Sequence, residues 1–207
     1  IESFRRGFNH FYGKIKDYRI LALLPSYLER DGSSLVFMCK HLIEESKHTD
    51  SGFYLNNIDE LASILQKKDE KKTLLIGVSY ALLDLAEQYP TKLKNTIVME
   101  TGGMKGKRKE MVKSELHDVL KKAFHLENIH SEYGMTELLS QAYSKKNGVF
   151  ETPHWMKVFV RDAQDPLTLL GHQQTGGINV IDLANINSCS FIATQDLGKT
   201  IDDFSFE

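Results

Sequence analysis

Short apolar runs alternate with stretches of helical periodicity from Ile1 through Phe124. Ile1 to Lys16 places Phe4, Phe8, Phe11, Tyr12 and Ile15 near helical spacing and predicts an amphipathic helix. Tyr18 to Leu24 is an apolar run closed by Pro25, the pattern of a buried strand leaving a sheet. Ser26 to Ser34, with Gly32, reads as a polar turn, and Leu35 to Glu45 returns to helical spacing. Gly52 to Leu55 fits a short strand, and Asn57 or Asp59 can cap a helix carrying Ile58, Leu61, Ile64 and Leu65. Thr73 to Val78 is the next buried strand, Tyr80 to Tyr89 a helix stopped near Pro90, and Thr96 to Met99 another strand. Met111 to Phe124 predicts a longer helix with Leu116, Val119, Leu120 and Phe124 on one face.

This alternation implies right-handed crossovers and an α/β fold whose mostly parallel sheet is covered by helices on both faces. From Trp155 the pattern changes. Met156 to Val160, Gly177 to Leu183 and Ser190 to Thr194 read as strands, with Gln173 to Gly177 as a turn. We therefore expect an α/β unit over residues 1–155 and a β-rich extension of the same domain over 156–207.

A chain of 207 residues can bury roughly 70% of its unfolded surface without a disulfide or metal staple. The formal charge of -2, with both signs well mixed, argues against a nucleic-acid partner. Lys67 to Lys72 reads as a solvated charged turn. Cys39 and Cys189 lie in apolar segments and read as buried free thiols, which suits a reducing cytoplasm. In particular, Cys189 is expected to be structural, since nothing around it in sequence would lower its pKa. No apolar run approaches the ~18 residues of a membrane span, and no signal-peptide pattern is present. No His-x-x-x-His or Cys-x-x-Cys pairing suggests zinc, and no serine has a nucleophile-elbow context.

Chemistry concentrates in three segments. Ile129 to Leu139 contains Tyr133-Gly134-Met135-Thr136-Glu137, an apolar run broken by glycine and followed by a hydroxyl and a carboxylate. Tyr133 offers a ring for a nucleobase, Thr136 a hydroxyl for a phosphate oxygen, and Glu137 a hard oxygen for Mg²⁺. A helix capped by Thr136, with Glu137 facing its dipole, would explain the same residues. Glu100 to Gly106 is a glycine-rich turn between a strand and a helix, able to bring backbone close to a ligand. It lacks the spacing of a dinucleotide fingerprint and the ending of a Walker loop. Its Lys105, with Lys107 and Arg108, can meet phosphate or simply face solvent. Thr194 to Gly198 presents Asp196, a carboxylate able to accept from two neighbouring hydroxyls, or alternatively a strand-ending turn. His130 can line a ligand pocket or be a satisfied core histidine.

Tyr133 to Glu137 resembles the Tyr-Gly-x-Thr-Glu motif of the adenylate-forming superfamily of acyl-CoA synthetases, peptide-synthetase adenylation domains and luciferases. With Glu100 to Gly106 and the segment around Thr194, Asp196 and Gly198, the chain looks most like the acyl-protein synthetase (LuxE-type) branch. The resemblance implies ATP-dependent activation of a carboxylic, fatty, acid as an acyl-adenylate, with Mg²⁺, and transfer to coenzyme A, a carrier protein or a protein cysteine. It further implies that Gly102 and Gly103 face adenine and that Tyr133 stacks on it, with Gly134 and Met135 completing the nucleotide-facing turn. Thr136 would contact the α-phosphate, Glu137 would ligate Mg²⁺ and Asp196 would hold the ribose hydroxyls. Gln195 stands where the family's Thr-Gly-Asp motif has glycine. The Leu24 to Tyr27 turn corresponds to a loop that helps wall the acyl site in relatives. A serine-, threonine- and glycine-rich phosphate loop is expected before Ile1 and a small lid domain with its catalytic lysine after Glu207, which would make the chain a piece of a longer polypeptide. A non-catalytic nucleotide-binding or scaffolding domain that keeps the fold is the alternative.

Overall fold

The computed structural model describes residues 1–25, 32–55, 57–104, 106–109 and 111–207. The expected Ser26 to Ser34 turn falls largely outside them, as do Ser26 and Tyr27 of the acyl-site loop and Lys105.

The apolar runs form the centre of an eight-stranded sheet. Strands β1 (Tyr18–Leu23), β2 (Gly52–Tyr54), β3 (Lys72–Val78), β4 (Thr96–Thr101) and β5 (His130–Tyr133) run parallel in the spatial order β5-β4-β3-β1-β2. β1 is buried along its whole length, as suits a strand apolar but for Arg19 and covered on both faces. Beyond β5, the strands β6 (Ala142–Ser144) and β7 (Phe150–Glu151) continue the sheet antiparallel. Their short length gave no periodicity to read.

A second, antiparallel sheet has the order β11-β10-β8-β9, from β8 (Met156–Arg161), β9 (Leu169–Leu170), β10 (Gly176–Asp182) and β11 (Phe191–Gly198). Ile178, Val180, Met156 and Val158 turn their side chains into a core shared with Leu138, Phe150 and Phe206. The chain then leaves this sheet, and β12 (Ser205–Phe206) pairs with β7 at the edge of the first.

Helix α1 (Glu2–Tyr12) precedes β1, and α2 (Ser34–Ser46), α3 (Ile58–Gln66), α4 (Ser79–Gln88) and α5 (Lys113–Phe124) intervene between successive parallel strands. α1 and α2 pack Phe4, Phe8, Cys39 and Leu42 onto the face that carries Leu74, Ile76 and Met99. α4 and α5 reach the opposite face, where Ser79 and His117 meet Glu100. α5 starts later than its pattern suggested, and Val119 is 37% exposed instead of facing the core with Leu116, Leu120 and Phe124. Asn57 holds the N-cap position of α3, but its Oδ1 accepts from the Leu55 amide (3.1 Å), not from a helix amide. Cys39 is buried, whereas Cys189 is exposed in the loop before β11; the hydrophobic flanks that suggested burial belong to a strand with an exposed edge.

At the amino end of the sheet Arg19 is almost wholly buried. Its Nε and Nη2 donate to Thr73 Oγ1 (3.1 and 2.9 Å), and Nη1 lies 3.6 and 3.5 Å from carboxylate oxygens of Asp50 and Asp69. Asp69 therefore belongs to a buried ion network, not to a freely solvated turn. Arg19→Ala leaves two half-buried carboxylates facing each other and is expected to lower unfolding free energy by about 2 to 3 kcal/mol in urea titrations, less than for a fully enclosed pair.

Candidate functional site

In open parallel sheets ligands collect beyond the carboxyl ends of the strands. Here that end carries Thr101 of β4 and Tyr133 of β5, with β11 of the second sheet facing them across a cleft of about 690 Å³.

Alternation along the strands sorts the polar side chains between the sheet's two faces. Glu100 and Ser131 point to α5. Glu100 Oε1 lies 3.1 Å from Lys113 Nζ and 3.6 Å from His117 Nε2, and Ser79 Oγ donates to Oε2 (3.3 Å). Burial opposes ionisation of Glu100, yet His117 and Lys113 hold its carboxyl below the usual range. Ser79 Oγ also lies 3.1 Å from the Gly102 carbonyl, so Ser79 ties the glycine turn to this network. Gly102 itself sits at φ 68°, in the left-handed region that favours glycine.

Thr101 and Glu132 point the other way. The Thr101 hydroxyl donates to Glu132 Oε2 (2.5 Å). Burial, reinforced by the charge of Glu100 and opposed by the Thr101 bond, pushes the Glu132 carboxyl up to about 7. Folded Glu132 thus keeps a proton that the unfolded chain releases near its ordinary carboxyl value. Between roughly pH 4.5 and 7 the native state binds more protons, so this group's contribution to stability falls as pH rises, by at most about 1.4 kcal/mol per unit. Unfolding titrations of wild type and Glu132→Gln across that window should show this slope in the former and not in the latter.

After Tyr133 the backbone passes so close to Glu132 that a Cβ at position 134 would lie 2.5 Å from Glu132 Oε1 and 3.3 Å from Gln141 Cγ. A side chain at position 134 would therefore have to displace the Glu132 carboxyl. Residues 136 and 137 form a turn, and no helix starts at Thr136, so the capping explanation of Thr136 and Glu137 is excluded. Asn185 Nδ2 donates to the Glu137 carbonyl (2.7 Å). Asp182, wholly buried at the end of β10, fixes the loop after Glu137: Oδ2 accepts from the amides of Leu139 and Ser140 (2.9 Å each), and Oδ1 from Ser140 Oγ (2.7 Å) and the Ala184 amide (3.0 Å).

Tyr133 closes the cleft on one side. Its hydroxyl donates to Asp196 Oδ2 (2.8 Å), and its ring meets Phe150 and Phe206 edge to face. Burial and the Asp196 carboxylate raise the phenol above its ordinary pKa. One segment from the first sheet and one from the second are thereby joined across a sequence separation of 63 residues.

Of the residues assigned from sequence, Gly102, Tyr133, Gly134, Met135, Glu137 and Asp196 line the cleft, while Gly103 and Thr136 are exposed beside it and do not. Sequence reasoning missed Lys113, Glu100 and Glu132 as lining groups. Glu100 and Glu132 adjoin the recognised motifs, which was the available signal; Lys113 carried none. Arg108 is committed elsewhere, its Nε to Asp84 (2.9 Å) and its Nη1 to Glu87 (2.7 Å). His130 follows its core reading: Nδ1 lies 3.1 Å from the Tyr12 hydroxyl, and burial lowers its pKa to about 4.

No family model and no curated protein matches this chain. Solved structures do share its architecture. ATP-bound MatB from Rhodopseudomonas palustris superposes with a TM-score of 0.72 at 14% identity, over 98% of this chain and 42% of MatB. The chain adopts the fold of this enzyme over nearly its whole length. Unliganded o-succinylbenzoate coenzyme A synthetase (MenE) from Bacillus subtilis gives a TM-score of 0.64 at 18% identity, over 98% of this chain and 43% of the enzyme. A luciferase-like enzyme from the mealworm Zophobas morio gives 0.55 at 14% identity, over 91% and 47% of the two chains. The chain spans less than half the length of these structures. Among the described residues no helix is long and apolar enough to cross a membrane.

Proposed function

We propose that the chain forms the nucleotide and acyl site of an ATP-dependent ligase that activates a carboxylic, fatty, acid as its acyl-adenylate and passes the acyl group to a thiol. Residues 1–155 supply most of that site and 156–207 its facing wall, in an arrangement like the acyl-protein synthetase branch. The observation that carries the reading is that the three motif segments line one cleft, two of them joined by the Tyr133 to Asp196 bond. ATP-bound MatB and the coenzyme A synthetase MenE, whose fold the chain shares, support it.

The residues fit the ligands asked of them. Asp196 spends Oδ2 on Tyr133 and keeps Oδ1 for a ribose hydroxyl. The glycines at 102 and 134 leave backbone bare beside the Tyr133 ring, where a flat base can enter. The exposed Glu137 carboxylate on the cleft wall is a hard oxygen donor suited to Mg²⁺. Bound there, Mg²⁺ would neutralise phosphate charge. Thr136, one residue from that carboxylate, offers its hydroxyl to the α-phosphate. In the reaction a carboxylate oxygen of the acid attacks the α-phosphorus of ATP and pyrophosphate departs; the thiol then displaces AMP from the acyl carbon. The protein's part is positioning and charge stabilisation. Coenzyme A, a carrier protein or a protein cysteine can serve as the thiol, and the surface position of Cys189 makes it the residue to test for the last.

The full-length protein, incubated with a panel of carboxylic acids, ATP and Mg²⁺, should exchange labelled pyrophosphate into ATP in an acid-dependent way. Hydroxylamine should trap the acyl group as a hydroxamate. Nucleotide binding with no exchange for any acid would favour the non-catalytic alternative.

A further inference from the structure

Glu132 borders two spaces. At the carboxyl end of β5 it lines the open cleft, and under α1 and α2 it lines a small enclosed cavity of about 10 Å³. The other walls of that cavity are mostly apolar, among them Phe8 of α1, Cys39 of α2 and Met99 of β4, with Tyr143 of β6, whose hydroxyl is likewise buried without a partner among the described residues. Burying a carboxyl in such a wall is costly, and a well-packed apolar residue would serve the fold better. Oε2 is held by the Thr101 hydroxyl, while Oε1 rests against Gly134 and has no hydrogen-bond partner among the described residues.

We propose that Glu132, clamped by Thr101, is the plug between cleft and cavity and so sets the longest acyl chain the site accepts. The acid's chain runs from the Glu137 side of the cleft and ends against the Glu132 carboxyl. At about 10 Å³ the cavity by itself is barely large enough for one water, so added methylenes can enter only when the carboxyl is removed. This inference rests on that part of the proposed function which makes the cleft the binding site of the acid.

The test uses the full-length protein and linear saturated carboxylates of increasing length, with binding followed by calorimetry and turnover by pyrophosphate exchange. Glu132→Ala should move the optimum to longer acids, with affinity rising roughly fourfold per added methylene for about two methylenes. Glu132→Gln, equal in volume, should keep the wild-type optimum. Cys39→Met, which fills the cavity from α2, should restore the wild-type limit in the Glu132→Ala background. If Glu132→Ala does not fold, Glu132→Val, a good strand former, reads the same shift. An unmoved optimum in the truncated variant, or an equal shift in Glu132→Gln, overturns the plug. A length shift in binding with no exchange in any form supports the plug and removes the adenylation reading; exchange with an unmoved length profile removes the plug alone.

Discussion

Asp182→Ala is expected to cost about 3 to 5 kcal/mol of unfolding free energy, because the substitution strands several buried donors at once. The carboxylate accepts from the amides of Leu139, Ser140 and Ala184 and from the Ser140 hydroxyl, and no solvent reaches it. Each buried donor without an acceptor costs about 1 to 3 kcal/mol, partly recovered where the loop relaxes toward water. Asp182→Asn should cost less, since its amide keeps one oxygen while presenting its NH₂ to groups that themselves donate. The loop so anchored is the one that carries Thr136 and Glu137, so nucleotide affinity should fall together with stability. Urea titrations with a fluorescent ATP analogue as a second readout check both. A loss below about 1 kcal/mol in Asp182→Ala would show that the loop is held by other contacts.

Glu137→Gln should behave in the opposite way, leaving the fold alone and removing chemistry. The Glu137 side chain is exposed, and the turn is fixed through backbone atoms, by Asn185 on the Glu137 carbonyl and by the Leu138 amide on the Met135 carbonyl (3.1 Å). Stability should therefore change by no more than about 0.5 kcal/mol. The amide keeps the size of the side chain but loses the charge that a hard divalent cation needs. In the full-length protein the proposed metal role predicts a loss of about 2 to 4 kcal/mol of transition-state stabilisation, a drop of roughly 30-fold to several hundred-fold in acid-dependent pyrophosphate exchange. The Mg²⁺ concentration for half-maximal exchange should rise in parallel. Exchange at the wild-type rate would detach Glu137 from the metal.

The two variants separate roles that look alike in the sequence. Asp182 and Glu137 are both acidic residues next to turns, one at the end of an apolar strand and one after a glycine. Burial makes one of them a structural acceptor for four donors and leaves the other free for a ligand. Nothing in the residues beside Asp182 records the four donors that the fold brings to it.

The sequence by itself determined the central parallel strands, because a strand covered on both faces is apolar at most positions and announces itself locally. Tyr18 to Leu23, Thr73 to Val78 and Thr96 to Met99 were legible for that reason. So were the glycine turns at 102 and 134, and the motif segments whose resemblance pointed to the adenylate-forming fold. Strands of two or three residues, such as β6, β7, β9 and β12, are too short for any periodicity and form where the fold brings another strand alongside them. Tertiary structure alone decided that Tyr133 meets Asp196, that Arg108 is spent on Asp84 and Glu87, that Cys189 is at the surface, and that Glu132 divides a cleft from a cavity. The physical reason is common to all four. Whether a charged, aromatic or thiol side chain is solvated, paired or buried depends on which distant segment lies against it, and local spacing carries no record of that.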